Sequence, residues 1–349
     1  MQRIDLPPPT KLGERASSGA NARAAFDAEP PIVDSGAKAP DATRSIAPTP
    51  IDHLEDPHTA VERRRPLFHP ARGWFRRTER AVSHYLARNL YPWIPGLSRP
   101  YSRQLRRDLV LSEATIDLAG LPHAFDGLRV LLVTDIHAGP FLKPSVLYEA
   151  VERLGRLEPD LILLGGDQAS ARSIEIEQNV ETFRSFTAPL GVFAVLGNHD
   201  YYTHEADRVI SLLEDCGIGV LHNSSTRIER GGETLSLAGV DDMLLGHPDL
   251  DRALENTEPP VVLLSHHPDL LFEAARHGVA LMLSGHTHAG QIRIPGLPVL
   301  VRQSRYRLDE GRFRYDDTEL VVSRGLGAVG VPYRMACPPE AVLLTLKTV

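Results

Sequence analysis

Short runs of apolar residues recur from about residue 109 to Val349 and alternate with segments of helical spacing. Such runs are typical of strands buried on both faces of a sheet, so the pattern predicts an α/β domain over residues 109–349. The predicted strands are Leu128–Val133, Leu161–Leu164, Val192–Leu196, Val261–Leu264, Val279–Leu283, Leu320–Val322 and Ala341–Leu346. The predicted helices are Ser145 to Leu157, Asn179 to Phe186 and Glu205 to Asp215, and a β-hairpin is predicted within Gly219–Asp241.

The first hundred residues have a different composition. Residues 1–60 contain nine prolines and one aromatic residue, Phe26, which predicts a disordered leader because little apolar surface is available for a core. From Trp74 to Leu90, apolar residues return at three-to-four spacing with arginines between them, which predicts a basic amphipathic helix. Residues 61–108 are therefore expected to form this helix and a linker to the α/β domain.

Charge is distributed unevenly along the 349 residues, whose formal net charge is −7. Residues 61–107 hold twelve Arg and two Glu, a net charge of +10, which leaves −17 on the rest. An acidic domain argues against a nucleic-acid partner, since such proteins present basic surfaces to phosphates. The basic, tryptophan-containing segment predicts reversible association with an anionic membrane surface. The alternative is a helix that packs on the domain and leaves its arginines solvated.

Targeting and redox signals are sparse in this sequence. No apolar run approaches the roughly 20 residues that a membrane-crossing helix requires, and no secretory signal is recognisable. We therefore expect a cytoplasmic protein that is peripheral on the inner face of the membrane. The two cysteines, Cys216 and Cys337, offer no disulfide framework and are expected to be small buried hydrophobes.

Five of the predicted strands end in clusters of metal-competent side chains. The clusters contain Asp135 and His137, then Asp167, then Asn198 with His199 and Asp200, then His266, and finally His286 with His288. Ligand sites in open α/β sheets lie beyond the carboxyl ends of the strands, so the five clusters are expected to converge on one rim. Their oxygen and nitrogen donors suit Mn²⁺, Fe or Zn²⁺. The number of donors indicates two ions that share a bridging carboxylate.

The order of these clusters resembles the calcineurin-like metallophosphoesterases. The family motifs D-x-H, G-D, G-N-H-[DE], H and G-H-x-H match residues 135–137, 166–167, 197–200, 266 and 285–288. Gly-His-Thr-His-Ala-Gly-Gln at 285–291 and Ser-Arg-Gly-Leu-Gly at 323–327 are similar to a bacterial branch of small membrane-associated phosphodiesterases. The resemblance covers roughly residues 125–349 and implies a four-layer α/β/β/α sandwich.

The resemblance also implies a role for each matched residue. Asp135, His137 and His288 would hold one divalent metal, Asn198, His266 and His286 would hold the second, and Asp167 would bridge them. A hydroxide held by the metals would be the nucleophile, with His199 as general acid and Asp200 orienting it. The expected reaction is hydrolysis of a phosphodiester, phosphomonoester or pyrophosphate, on a substrate that is lipid-linked or nucleotide-linked. Two other hypotheses are an inactive scaffold for protein binding and a nuclease.

Several residues near the motifs have more than one possible role. His267 is an alternative ligand to His266, and Gln168 stands shortly after G-D, where family members often carry an acid. Three further groups have weaker support. Asp241 and Asp242 would line the pocket or form a solvated turn, and Tyr201 and Tyr202 would stack on a leaving group or pack in the core. Arg293 and Arg334 would contact phosphate, lie at the surface or form salt bridges.

Overall fold

A computed structural model describes residues 42–51, 85, 100–295, 299 and 301–349. These residues all fall in the compact unit Lys38–Val349. The sequence before residue 42 lies outside the described residues. So does the predicted basic helix from Trp74 to Leu90, apart from the helical and exposed residue Tyr85. The leader before residue 42 and the basic helix therefore stay predictions.

The strands follow the predicted apolar runs closely. They are β1 (Ala42–Ser45), β2 (Pro48–Pro50), β3 (Val110–Leu118), β4 (Leu128–Val133), β5 (Leu161–Gly165), β6 (Val192–Val195), β7 (Gly219–Val220), β8 (Ser224–Arg230), β9 (Glu233–Gly239), β10 (Val261–Leu264), β11 (Leu281–Ser284), β12 (Gly311–Tyr315), β13 (Thr318–Val322) and β14 (Glu340–Thr348). The predicted hairpin is β8 and β9, which pair in antiparallel register. Its turn contains Gly231 and Gly232, both with positive φ.

Two mixed sheets of seven strands each form the centre of the domain. The first has the order β1-β3-β14-β4-β5-β6-β7 and the second β2-β12-β13-β11-β10-β9-β8. In the first sheet, β4 to β7 are parallel and β14 runs against β4. In the second sheet, β9, β10, β11 and β13 are parallel. The parallel strands end in the loops that carry the predicted clusters.

Helices cover the outer faces of both sheets. They are α1 (Pro100–Asp108), α2 (Pro144–Gly155), α3 (Ile174–Glu177), α4 (Val180–Ser185), α5 (Asn198–Tyr202), α6 (Ala206–Glu214), α7 (Leu250–Leu254) and α8 (Leu271–Arg276). Buried residues of α1, α2, α4 and α6 pack on the first sheet, and those of α7 and α8 pack on the second. The three helices predicted from spacing correspond to α2, α4 and α6.

Side-chain alternation along the central strands separates the layers. Leu161 and Leu163 of β5 face the second sheet and pack with Leu264 of β10. Ile162 and Leu164 face the opposite way and pack against the helices. Because both faces of the strand are buried, its sequence is continuously apolar. The layers are thus helix, sheet, sheet and helix, and the predicted four-layer α/β/β/α sandwich is confirmed.

Residues 42–51 differ from the predicted disordered leader. β1 pairs with β3 at the edge of the first sheet and β2 pairs with β12 at the edge of the second. Ile51, which follows β2, is buried. Composition did not indicate these strands because an edge strand is held by backbone hydrogen bonds and tolerates proline. The expectation of disorder was wrong for this short stretch.

Helix α1 was not predicted within the expected linker. Its first residue is Pro100, and proline is favoured in the first turn of a helix because its missing N–H would have no partner there. Tyr101 and Leu105, four residues apart, are fully buried against the first sheet. The carboxyl-terminal part of the expected linker is therefore packed on the domain.

Within the part of the chain that the structure describes, no helix has the length and apolar character needed to cross a bilayer. Cys216 and Cys337 are both buried free thiols. Burial raises the pKa of each thiol, which keeps both protonated and agrees with the predicted role as small hydrophobes.

Candidate metal centre

The predicted site residues follow the ends of strands from both sheets. Asp135 and His137 follow β4, Asp167 follows β5, and Asn198, His199 and Asp200 follow β6 in the first sheet. His266 follows β10, and His286 and His288 follow β11 in the second sheet. The expectation of a single sheet rim was therefore wrong: the five clusters meet because the two sheets end side by side. All nine of these residues are buried.

The backbone at these strand ends is held in an unusual conformation. Five predicted ligands have φ between 46° and 70°: Asp135, His137, Asp167, His286 and His288. Such positive φ values in residues other than glycine cost about 1–3 kcal/mol each and concentrate at functional sites. The surrounding packing must therefore hold these turns in place.

Two motif glycines leave room for the ligands. A Cβ atom at Gly197 would collide with the Asp167 carboxylate and the His266 ring. A Cβ atom at Gly285 would collide with the Asp135 carboxylate. The glycines of G-N-H-D and G-H-x-H are thus required because the ligand side chains lie directly against the backbone.

A first group of four side chains could hold a metal ion. The ligand atoms of Asp135, His137, Asp167 and His288 all lie within 4.8 Å of one another. His137 Nε2 is 3.0 Å from His288 Nε2 and 3.7 Å from Asp167 Oδ2, and His288 Nε2 is 3.3 Å from Asp135 Oδ1. This set contains the three residues expected for one metal together with the expected bridge.

A second group lies on the other side of Asp167. His266 Nε2 is 3.3 Å from Asp167 Oδ2 and 3.2 Å from His286 Nδ1. Asn198 lies next to Gly197, which contacts both Asp167 and His266. Its buried Oδ1 atom has no hydrogen-bond partner among the described residues. A buried oxygen without a partner is costly, and a cation there would satisfy it. The second predicted donor set therefore fits a metal ion.

His267, the alternative to His266, has a different environment. Its Nδ1 accepts a hydrogen bond of 3.2 Å from the backbone N–H of Asp269. Burial lowers the pKa of His267 to about 3, so this ring is neutral. The His266 ring instead has Nε2 on Asp167 and Nδ1 2.8 Å from the Gly165 carbonyl. The geometry favours His266 as the ligand.

The protonation states at the site suit cation binding. Burial opposes ionisation of Asp135, yet the neighbouring His288 lowers the pKa of this carboxyl. Burial also opposes ionisation of Asp167, but His266 and other imidazoles hold its pKa well below the usual value. Burial lowers the pKa of His137 and His286. Ionised carboxylates and neutral imidazoles are the forms in which these side chains bind metals.

His266 differs from the other imidazoles of the site in the balance of its interactions. Burial disfavours its imidazolium form, but the Asp167 carboxylate beside it raises the pKa of His266 to about 10. A metal ion held by His266 would compete with a proton for this ring, as is general for imidazole ligands.

His199 and Asp200 lie next to the ligands but have different partners. The His199 backbone N–H donates to Asp167 Oδ1 over 2.7 Å, and its Nδ1 lies 2.6 Å from the Ser170 carbonyl. Its ring packs edge-on against His137, with the centroids 4.6 Å apart. The Asp200 carboxylate accepts backbone N–H groups of Gly197, Gln168 and Ala169 at 3.0, 3.3 and 2.9 Å. Burial and then Asp167 raise the pKa of Asp200 to about 7.

Arg334 was expected to contact phosphate, to lie at the surface or to form a salt bridge, and the surface position was wrong. It is fully buried, and its Nη2 donates to His288 Nδ1 over 2.9 Å. Because a guanidinium can only donate, His288 Nδ1 is the acceptor of this hydrogen bond. His288 Nε2 is then the ring atom that faces Asp135 and could bind a cation. Gln104 of helix α1 holds the backbone of Arg334. Its Oε1 accepts the Arg334 N–H, and its Nε2 donates to the Arg334 carbonyl.

The partners of Arg293, Asp241 and Asp242 distinguish between the interpretations given for them. Arg293 forms a salt bridge with Glu310, as one of its two interpretations stated. Asp241 accepts the Tyr201 hydroxyl over 2.5 Å. Asp242 is fully buried, so a solvated turn was wrong for it, and it interacts electrostatically with His266.

Tyr202 and Gln168 also contact residues of the candidate metal centre or of the strands that carry it. The Tyr202 ring packs edge-on against His199. The Gln168 side chain is buried and donates to the Val195 carbonyl of β6, so it ties the Asp167 loop to the neighbouring strand.

Some residues at the centre escaped sequence reasoning. These are Ser170, whose carbonyl holds His199, and Gly325, whose missing Cβ leaves room for Asp135. Gly325 lies in the Ser-Arg-Gly-Leu-Gly stretch, which the resemblance had singled out without giving it a role. That stretch was the available signal, because two of its five residues are glycines and glycine permits a close approach of other side chains to the backbone.

Known proteins resemble this chain over most of the described domain. Residues 128–290 match the family described as Calcineurin-like phosphoesterase. The uncharacterized metallophosphoesterase YkuE of Bacillus subtilis is 30% identical over 71% of this chain and 89% of its own length. An uncharacterized metallophosphoesterase of Aquifex aeolicus is 31% identical over 73% of this chain and 98% of its own length.

A third relative is longer than the matched region. The Danio rerio protein named transmembrane protein with metallophosphoesterase domain is 34% identical over 67% of this chain. The match covers 56% of that relative, so this chain spans about half of its length.

The fold, the buried Asp/His cluster and these relatives agree on one class of protein, the metal-dependent phosphoester hydrolases. The chain belongs to the calcineurin-like phosphoesterase family, which depends on two metal ions.

Proposed function

We propose that this chain hydrolyses a phosphodiester or a pyrophosphate at a centre of two divalent metal ions. The observation that carries the proposal is the Asp167 carboxylate, which lies between a group of ligands on one side and a second group on the other. The first metal would be held by Asp135, His137 and His288, and the second by Asn198, His266 and His286, with Asp167 shared. Mn²⁺, Fe and Zn²⁺ suit these donors.

Bound metal ions would supply charge neutralisation of the phosphate and activation of water at neutral pH. The protein contributes a proton donor, His199. The Ser170 carbonyl lies 2.6 Å from Nδ1 and holds the orientation of the ring, and Nε2 would protonate the leaving oxygen. The Asp167 carboxylate fixes the His199 backbone, so the proton donor and the metal bridge keep a constant separation.

Asp200 positions Asp167 and His199 through hydrogen bonds to the backbone. Its carboxylate joins the turn after β5 to the turn after β6 by accepting N–H groups from each. We therefore assign Asp200 as a positioning residue for Asp167 and His199, which refines the expectation that it orients the His199 ring.

The substrate is proposed to be lipid-linked or nucleotide-linked and to lie at the inner surface of the cytoplasmic membrane. The net charge of +10 on residues 61–107 supports this location, since each arginine near an anionic surface contributes roughly 1 kcal/mol. The printed name of the zebrafish relative, a transmembrane protein, also supports a membrane setting. An inactive scaffold is not favoured, because every predicted ligand is present and buried in the site.

Removal of divalent metal is expected to abolish hydrolysis. The chain would be treated with a chelator, dialysed, and assayed against a monoester, a diester and a UDP-linked lipid pyrophosphate, with and without added Mn²⁺. Activity should disappear and return with metal, because the centre relies on the ions to activate water. Full turnover by protein shown to be metal-free by elemental analysis would refute the proposed centre, and the ranking of the three substrates identifies the class.

The basic segment is expected to bind anionic vesicles in a salt-sensitive manner. The full-length chain and a variant with Arg63, Arg64 and Arg65 changed to Gln would be sedimented with anionic and neutral vesicles. A deletion up to Leu109 is unsuitable, because it removes the buried Tyr101 and Leu105. Binding should weaken in the variant and at high salt, as electrostatic attraction is screened. Equal binding by both proteins at low salt would contradict the role of this segment.

A further inference from the structure

Exposed apolar side chains concentrate around the turn that carries His288. Among the described residues, five of them have 37–61% of their surface exposed: Ile294, Val301, Val331, Tyr333 and Met335. These five residues are here called the apolar rim. Large apolar residues that cluster at a protein surface mark an interaction site, whereas isolated ones do not.

The part of the apolar rim from Val331 to Met335 is ordered by one buried residue, Gln291. Gln291 accepts the Val329 N–H at 2.9 Å and donates to the carbonyls of Val331 and Tyr333 at 3.2 Å each. Its own carbonyl accepts the Met335 N–H at 3.0 Å. Gln291 ends the Gly-His-Thr-His-Ala-Gly-Gln stretch, so the sequence that provides two metal ligands also orders this surface. A surface that is already ordered loses little entropy when it binds.

The apolar rim lies beside the metal centre. Arg334, which stands between Tyr333 and Met335, donates to His288 Nδ1. On the other side of the centre, Met243, Leu244 and Leu245 are also exposed. They follow Asp242, which interacts with His266. Apolar side chains are therefore exposed in the loops that follow β9, β11 and β13 of the second sheet.

Positive charge borders the apolar rim. Arg103, Arg106 and Arg107 are exposed on α1, the helix whose Gln104 holds the Arg334 backbone. The Arg107 guanidinium is close enough to Tyr333 to interact with it electrostatically. Its ion pair with Asp108 is exposed and therefore weak. The sequence before α1 is also basic, since residues 61–99 carry nine Arg and two Glu.

We infer that the apolar rim binds the surface of an anionic lipid bilayer. Its apolar side chains enter the boundary between headgroups and acyl chains, and the arginines of α1 lie at the lipid phosphates. The metal centre then faces the bilayer, where a lipid-linked phosphate is presented. The nature of that substrate rests on the proposed function, whereas the binding itself does not. A second copy of the chain fits less well, because a symmetric contact would bring the arginines of two α1 helices together.

A matched pair of variants tests this surface in the full-length chain. Val331→Ser with Tyr333→Ser removes two members of the apolar rim. Val349→Ser with Tyr148→Ser removes the same residue types elsewhere: Val349 follows β14 at the opposite end from the centre, and Tyr148 lies on α2. All four side chains are exposed, so both variants are expected to fold. Each protein would be sedimented with phosphatidylcholine vesicles containing phosphatidylglycerol, at low salt and at about 0.5 M salt, where the basic segment is screened.

The rim variant is expected to bind vesicles at least roughly 5-fold more weakly at high salt than the control variant, because apolar insertion is not screened. Hydrolysis of a small soluble diester should stay within about 2-fold of the parent protein in both. Equal vesicle binding by the two variants, or no binding by the parent, would overturn the inference. A parent dimer in solution that the rim variant converts to a monomer would show a contact between copies instead. Vesicle binding is also measured with chelator-treated protein. Binding and hydrolysis are thereby tested separately, and a lack of hydrolysis does not change the conclusion about binding.

Discussion

Replacement of Asp167 by Asn is expected to remove metal ions and hydrolysis together. The substitution keeps the size of the side chain and removes the charge that His266 faces at 3.3 Å and His137 at 3.7 Å. A ligand shared by two cations contributes several kcal/mol of charge stabilisation, so turnover should fall by roughly 10³-fold or more. Metal content measured by elemental analysis after dialysis should drop in the same protein.

The matched control is Asp269→Asn. Asp269 is also buried, and it follows His267 on the same side of the domain, but its carboxylate accepts the Ser304 hydroxyl at 2.6 Å and the Arg305 N–H at 2.9 Å. Its replacement should lower stability and leave two metals bound per chain. If Asp167→Asn retained both metals and near-normal turnover, the bridging role would be rejected. Circular dichroism on both variants separates loss of metal from loss of fold.

The interior of the fold was predictable because the strands are buried on both faces. In β4, β5, β10 and β11 almost every residue is apolar. The apolar residues of these strands are buried in three clusters, one between the two sheets and one under the helices on each side. A run of this kind leaves few alternatives to a central strand. The predicted ligands were equally visible, since Asp135, Asp167 and His266 each stand two residues after the end of such a strand. Five clusters of this kind in one chain pointed to a shared site.

The partition into two sheets could not be obtained from the same pattern. β6 and β10 have similar apolar sequences, yet β6 pairs with β5 and β10 with β9 and β11. Pairing depends on contacts far apart in the chain, and the local alternation is the same in either sheet. The resemblance to a known family supplied the four layers where local pattern did not.

Residues that act at a distance were the main omission at the site. Arg334 lies 46 positions from His288, its hydrogen-bond partner, and its sequence neighbours Tyr333 and Met335 are exposed. Nothing in a local pattern distinguishes such an arginine from one at the surface. Gln291 is similar, since a glutamine beside a histidine motif gives no sign that it orders a loop 40 residues further on. Both roles follow from tertiary contacts.

His199→Ala is expected to separate catalysis from metal binding. The His199 ring is adjacent to His137, but its Nδ1 is engaged by the Ser170 carbonyl and its proposed role is to protonate the leaving oxygen. Turnover should therefore fall by roughly 10²–10⁴, the usual contribution of general acid catalysis, while elemental analysis still finds two metals. The loss should be largest for an alkoxide leaving group, which needs a proton, and small for p-nitrophenolate, which does not.

His277→Ala provides the matched histidine control. His277 is exposed at the end of α8, where it pairs with Asp251 at 3.1 Å, so its removal should leave turnover and metal content unchanged. Three measurements decide the assignment: metals per chain, the rate with p-nitrophenyl esters and the rate with alkyl esters. An equal loss on both esters would mean that His199 binds the phosphate and donates no proton in the rate-limiting step. Loss of one metal ion would make His199 a ligand, and the division of the centre between proton donor and metal ligands would then have to be redrawn around it.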